Sequence, residues 1–264
     1  MPYRIDLSGA GDEVLDRLVE LGALDVERAG ERGIAALMPD GVAPERVARA
    51  LGAADVSVSP AAGRDADSVW ILSPRPVRVG RLRIAPARAA PEPGVLTLID
   101  GPAFGTGLHP TTALCLEALE DALRIAVPEA VLDVGTGSGI LALGALMLGV
   151  PRATAVDVDQ AALRVAAENA LANGMAARVQ FAHGGPDAVT GTWPLVLANV
   201  LAAALIEMAP VLVQRVGHQG RLVLSGIHAS LEHDVSGAYR RLGMRAVDVR
   251  TRAGWLALVL QASW

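Results

Sequence analysis

Between Leu132 and Gly139 the chain reads LDVGTGSG: an apolar run meets an acid, Asp133, and glycines follow at alternate positions 135, 137 and 139. Glycines so spaced let the backbone turn tightly and come closer to a ligand than side chains permit. Asp133 can hold that turn or face an ammonium group. Roughly 20 positions further on, a second apolar run ends at Asp157 in the string AVDVD, where a carboxylate can accept hydrogen bonds from both hydroxyls of a ribose. Together these residues suit a cofactor that carries a nucleoside. One such class, the nicotinamide and flavin dinucleotides, calls for G-x-G-x-x-G, but position 140 is Ile.

These side chains need strands that end beneath them and helices that begin beside them. The pattern supplies both: strand 130–134, helix 140–148, strand 153–158 and helix 160–173, with Asp159 able to cap the helix start and Gly174 its end. Upstream, a helix is expected over 110–123. Downstream come strands 178–182 and 195–198, a helix from about 202 to 213, strand 221–225, helix 231–242, and two last strands, 245–250 and 255–261, as an antiparallel hairpin at the sheet's edge. Mostly parallel strands with helical crossovers make residues 96–264 a doubly wound α/β sheet of seven strands, which binds ligands outside the carboxyl ends of its strands. Residues 1–62 read differently. Strand 3–7, helix 12–21, strands 24–28 and 33–38, helix 44–51 and strand 55–59 give the order βαββαβ, a small ferredoxin-like α+β domain. Between them, 63–95 has the Pro- and Arg-rich texture of a linker holding one extended strand. In it Val77 and Val79 share a face but Leu82 and Ile84 fall out of step, so a bulge is expected at Gly80 and the arginines 78, 81 and 83 need not line one face.

A chain of 264 residues with 52% hydrophobic and 19% charged residues can bury enough surface to fold, and its length suits two domains. Apolar stretches such as 195–205, interrupted by Asn199, fall short of the roughly 20 residues that cross a bilayer, so no membrane partner is expected. The first residues carry acids where a secretion signal would be apolar, and Cys115 is the only cysteine, which excludes an intramolecular disulfide and points to a reducing cytoplasm. No metal cluster is evident. The net charge of −5 suits a basic partner better than a nucleic-acid backbone. All 23 basic residues are arginine. A GC-rich coding bias explains that, and so would an enzyme that modifies lysine sparing itself.

The alternate glycines behind an acid, with Asp157, resemble the S-adenosylmethionine motif of the Rossmann-like methyltransferases. AFGTGLHPTT at 103–112, taken with LDVGTGSG, AVDVD and LANVLA, resembles the ribosomal protein L11 methyltransferase family over most of 96–264, and VWILSPRPVRVGRLRIAP extends the likeness loosely upstream. The resemblance implies S-adenosylmethionine as cofactor and a small N-terminal domain that recognises the protein substrate. It implies cofactor contacts at Thr112, Gly135, Asp157 and Asn199. Phe104 and Thr106 would cover the methionine end, where an aromatic face suits a sulfonium. With Gly137 and Asp133 these complete the expected cofactor set. Asn199 is also the one candidate for a catalytic role, orienting an acceptor amine, though contact with the cofactor or capping of the next helix would equally explain it. His109 can relay a proton or simply shape the turn before Pro110. Two departures stand out. The family has Asp-Pro-Gly and an apolar residue before AFGTG, where this chain has Ile99, Asp100, Gly101 and Pro102. Near the adenine, Gly184 and Gly185 replace a polar residue, leaving His183 or Asp187 as substitutes and the adenine contact unassigned.

The implied reaction is N-methylation of lysine or N-terminal amines on a basic ribosomal protein by a cytoplasmic monomer. Other proteins or a small amine or acid are alternative substrates. A nucleic-acid base is disfavoured because Asn199 is followed by Val200, Leu201 and Ala202, with no aromatic to stack on an extruded base.

Overall fold

The computed structural model describes residues 3–8, 13–23, 25–29, 33–39, 41–52, 56–60, 76–87, 92–99, 109–252 and 254–264. They form two compact units, Met1–Pro74 with Leu108–Pro110, and Arg75–Gly107 with Thr111–Trp264. None of the described helices is long and apolar enough to cross a membrane.

The first unit runs β1 (Tyr3–Ser8), α1 (Glu13–Glu20), β2 (Asp25–Ala29), β3 (Gly33–Met38), α2 (Pro44–Leu51) and β4 (Val56–Pro60). Its sheet has the order β2-β3-β1-β4 and every pairing is antiparallel. Alternation along β1 turns Ile5 and Leu7 inward, where they join Leu18, Ile34, Met38 and Val47 in a small buried core. Pro44 starts α2 with a pre-set φ, and Gly52 ends it in the left-handed conformation. The Tyr3 hydroxyl donates to the Val42 carbonyl (2.5 Å), fixing the entry to α2.

In the second unit the segment expected to hold one bulged strand instead forms a hairpin. β5 (Val77–Val79) and β6 (Leu82–Pro86) pair antiparallel across a turn at Gly80 and Arg81, and β7 (Val95–Leu98) adds parallel to β6. The parity change is real, but a chain reversal absorbs it. What captures the turn lies 39 residues away: the Glu120 carboxylate accepts the Arg81 backbone N–H (2.8 Å) and its guanidinium (2.8 Å). Arg78 and Arg83 consequently stand opposite each other across the hairpin.

The remainder is α3 (Pro110–Ile125), β8 (Ala130–Val134), α4 (Ile140–Met147), β9 (Arg152–Asp157), α5 (Gln160–Ala172), β10 (Val179–His183), β11 (Trp193–Asn199), α6 (Ala202–Gln214), β12 (Val216–His228), α7 (Glu232–Arg240), β13 (Met244–Arg252) and β14 (Trp255–Ala262). The sheet order is β10-β9-β8-β11-β12-β14-β13. It is a mixed sheet: the pairings from β10 to β12 are parallel, and those of β14 with β12 and β13 are antiparallel. The final hairpin is appended as expected, with its second strand on the inside. Strand parity divides the core: Val131, Leu197 and Val223 meet residues of α3, α4 and the hairpin, while Leu132, Val196 and Leu224 meet α6 and α7. Both faces are therefore covered, and the strands read as near-continuous apolar runs.

Candidate cofactor site

The chain leaves β8 for β9 and β10 on one side and later returns to β11 on the other, so the carboxyl ends of β8 and β11 flank a topological switch point. Gly135 follows β8, Asp157 ends β9 and Asn199 ends β11. The fold thus brings these predicted residues to one edge of the sheet.

Backbone and acid build the turn after β8. The N–H groups of Gly135 and Thr136 both donate to the Val156 carbonyl (2.9 and 3.0 Å), pinning the turn to β9. Asp133 is fully buried, and its Oδ2 accepts from Thr136 Oγ1 (2.7 Å) and from the Ala142 N–H (3.1 Å), so one oxygen holds both the turn and the first residues of α4. Oδ1 has no hydrogen-bond partner. Burial pushes the carboxyl up to about 6, and the nearby Asp157 charge adds to this against the pull of the two hydrogen bonds. Above that pH the site holds a buried negative charge with one oxygen unpartnered.

Asp157 binds with both oxygens: Oδ2 accepts from the Gly137 N–H (2.9 Å) and Oδ1 from the Asp159 N–H (2.9 Å). Each keeps a lone pair, enough to take two hydroxyls of a diol. Asp159 in turn caps α5 by accepting from the Ala161 N–H (2.7 Å). On the neighbouring strand, the Gly184 N–H donates to the Asp157 carbonyl, and His183 Nε2 lies 2.9 Å from the Val158 carbonyl. Those bonds give His183 a part in shaping the loop. Val158 itself stands 74% exposed beside Asp157.

Across the switch point, Asn199 Nδ2 donates to Thr112 Oγ1 (3.3 Å), joining the end of β11 to the first turn of α3, while Asn199 Oδ1 is buried and unpartnered. Two glycines seat the next residue. A Cβ on Gly135 would overlap the Val200 side chain, and one on Gly226 would overlap the Val200 carbonyl. At Gly226 φ is +82°, within the register break of β12, so the bulge opens room for the Asn199–Val200 backbone. Leu201 is left 73% exposed directly after it. Burial lowers the His109 imidazole to about 4, so it is neutral at physiological pH.

Phe104 and Thr106 lie outside the described residues. Sequence reading overlooked Asn169 and Gly226. Asn169 carries a signal, a polar side chain on the alanine stripe 162, 166 and 170 of α5; the role of Gly226 depends on Val200, distant in sequence, and carries none.

The site offers acceptors for a ribose diol at Asp157 and close backbone at the glycine turn, with buried, unpartnered oxygens at Asp133 and Asn199. Such a set fits a positively charged nucleoside cofactor.

The family model described as "Ribosomal protein L11 methyltransferase" matches residues 43–263. Proteins of that name from Pelobacter propionicus, Myxococcus xanthus and Geobacter sulfurreducens are 42%, 38% and 45% identical over 76%, 83% and 70% of this chain. The chain spans 68%, 76% and 62% of their respective lengths. A crystal structure of ribosomal protein L11 methylase from Lactobacillus delbrueckii subsp. bulgaricus superposes with a TM-score of 0.66 at 26% identity, over 72% of this chain and all of that one.

Proposed function

We infer the function from one premise: the chain belongs to the ribosomal protein L11 methyltransferase family. It is an S-adenosylmethionine-dependent protein methyltransferase that methylates amine nitrogens, on lysine side chains or the N-terminus, of ribosomal protein L11. The single observation carrying this is the pairing, across one switch point, of a diol-binding acid at Asp157 with an unpartnered amide oxygen at Asn199.

When bound, the sulfonium cofactor supplies an electrophilic methyl group. The chain's own residues hold and orient. Asp157 takes the ribose hydroxyls, and Gly135 and Gly137 present backbone at close range. Oδ1 of Asp133 favours the cofactor's positive charge, and Thr112 fixes the amide of Asn199 by accepting from its Nδ2. Phe104 and Thr106 are assigned to the methionine end. An acceptor amine, with an ordinary pKa of about 10.4 for lysine, has to be neutral when it reacts. Asn199 Oδ1 accepts an N–H from that amine and aims its lone pair, and this positioning supplies much of the rate.

Residues 1–62 are assigned as a ferredoxin-like domain that recognises the protein substrate; the strand order β2-β3-β1-β4 around a βαββαβ chain supports the assignment. The charge of −5 suits a basic ribosomal protein, and the enzyme is read as a cytoplasmic monomer that makes no contact with nucleic acid.

Incubation of the full chain with methyl-labelled S-adenosylmethionine and isolated L11 tests this. Label is expected on lysines or the N-terminus of L11. Label found only on RNA or on small amines would overturn the reading.

A further inference from the structure

Asn169 is fully buried on α5, and its amide bonds in two directions. Nδ2 donates to the Ser138 carbonyl (2.8 Å), and Oδ1 accepts from the Ile99 N–H (2.7 Å). Ser138 sits within the glycine turn, next to the Gly137 whose N–H binds Asp157. Ile99 directly follows β7. One helical turn later Asn173 acts on the same strand: Oδ1 accepts from the Thr97 N–H (2.8 Å) and Nδ2 donates to the Thr97 carbonyl (2.6 Å).

An asparagine side chain carries the donor and acceptor of a peptide group, so Asn169 and Asn173 stand where a neighbouring strand would pair with β7. Their roles differ in one respect. Asn173 bonds to β7 and to its own helix at the Asn169 carbonyl, whereas Asn169 bonds to β7 and to the cofactor turn. Its orientation is fixed by those partners: reversed, Nδ2 would face the Ile99 N–H and Oδ1 the Ser138 carbonyl. A buried amide costs stability unless both ends are satisfied, and here each end is satisfied by a different segment.

We propose that Asn169 is a positioning residue that couples the glycine turn to strand β7, so that binding of the cofactor at the turn tightens the Ile99 N–H bond. The inference rests on the cofactor reading above. A ligand that fixes Gly135, Gly137 and Asp157 restrains Ser138, and through Asn169 makes opening at Ile99 costlier.

The test uses the full chain, S-adenosylhomocysteine as ligand, calorimetry for affinity and amide hydrogen exchange at Thr97 and Ile99. In the wild type, saturating ligand should slow exchange at Ile99 by roughly tenfold. Asn169→Asp keeps an acceptor for Ile99 but loses the donor to Ser138. It should weaken affinity by roughly tenfold, the size of one lost hydrogen bond, and abolish the ligand-dependent slowing. Asn173→Ala should speed exchange at Thr97 while leaving affinity within about twofold. Affinity unchanged in Asn169→Asp, or weakened equally in Asn173→Ala, overturns the coupling. Should Asn169→Asp fail to fold, the wild type alone decides, because ligand that leaves Ile99 exchange unaltered also overturns it. Absence of wild-type binding would instead defeat the cofactor reading.

Discussion

At the residue scale, the carboxyl of Asp133 is expected to make cofactor binding depend on pH. Its folded value of about 6 lies above the ordinary 3.8 because burial penalises the charge. The native state therefore holds more protons than the unfolded chain between those values, and the stability Asp133 contributes is greatest in acid and lost as pH rises through about 6. A cationic cofactor has the opposite preference. Affinity for S-adenosylmethionine should fall as pH drops from 7.5 to 5.5, and Asp133→Asn should flatten that profile; an equally steep profile in the variant would assign the dependence to another group. Asp157→Ala should raise the dissociation constant by roughly tenfold or more, the loss of two charge-assisted hydrogen bonds, with calorimetry as the measure. Gly226→Ala places a Cβ on the Val200 carbonyl at positive φ. It should cost about 1–3 kcal/mol in thermal unfolding and reduce kcat more than cofactor affinity, because it displaces Asn199 and leaves Asp157 in place. Both acids and the glycine turn were legible in sequence because their spacing is local. The seat of Val200 between Gly135 and Gly226 was not, since it joins three strands' ends.

Elements show the same division. Helix α5 could be bounded from its cap at Asp159 and Gly174 because capping is short-range chemistry. The β5–β6 hairpin reads in sequence as a bulged strand because Glu120, which captures its turn, lies far off on α3. β12 runs to 13 residues, well beyond the expected five, since pairing with β11 and β14 extends it past the glycines near its start. Burial alone would raise the Glu120 carboxyl, but hydrogen bonds from the Arg81 backbone and side chain and from Arg124 hold it below the usual range. That depressed value means its stabilisation is present above the unfolded carboxylate pKa of about 4.3 and lost as pH falls through the folded one. Glu120→Gln should lower stability at pH 7 by about 1–2 kcal/mol, the low end for charged hydrogen bonds because both arginines are largely exposed to solvent. Comparing chemical denaturation at pH 7 and pH 4 checks it: the gap between wild type and variant should narrow in acid.

For the whole molecule, the question is what each unit does alone. Val79, Leu82, Ile84, Leu96 and Leu98 are buried in the same core as α3 and α4, so the second unit begins before β5, ahead of the domain start expected at residue 96. It holds the glycine turn, Asp157, Asn199 and Thr112, and its sheet is covered on both faces. The first unit has its own small core. If the first unit recognises the protein substrate, its removal separates two functions that a shared fold would keep together. A chain lacking residues 1–74 should bind S-adenosylmethionine within about threefold of the full chain and lose methylation of L11 by at least roughly a hundredfold in kcat/KM, the scale of a lost docking surface. Free lysine-containing peptides, which need no docking, should be methylated equally poorly by both forms. Full activity on L11 after truncation would move substrate recognition onto the second unit, where the exposed Leu201 beside Asn199 would be the first surface to test.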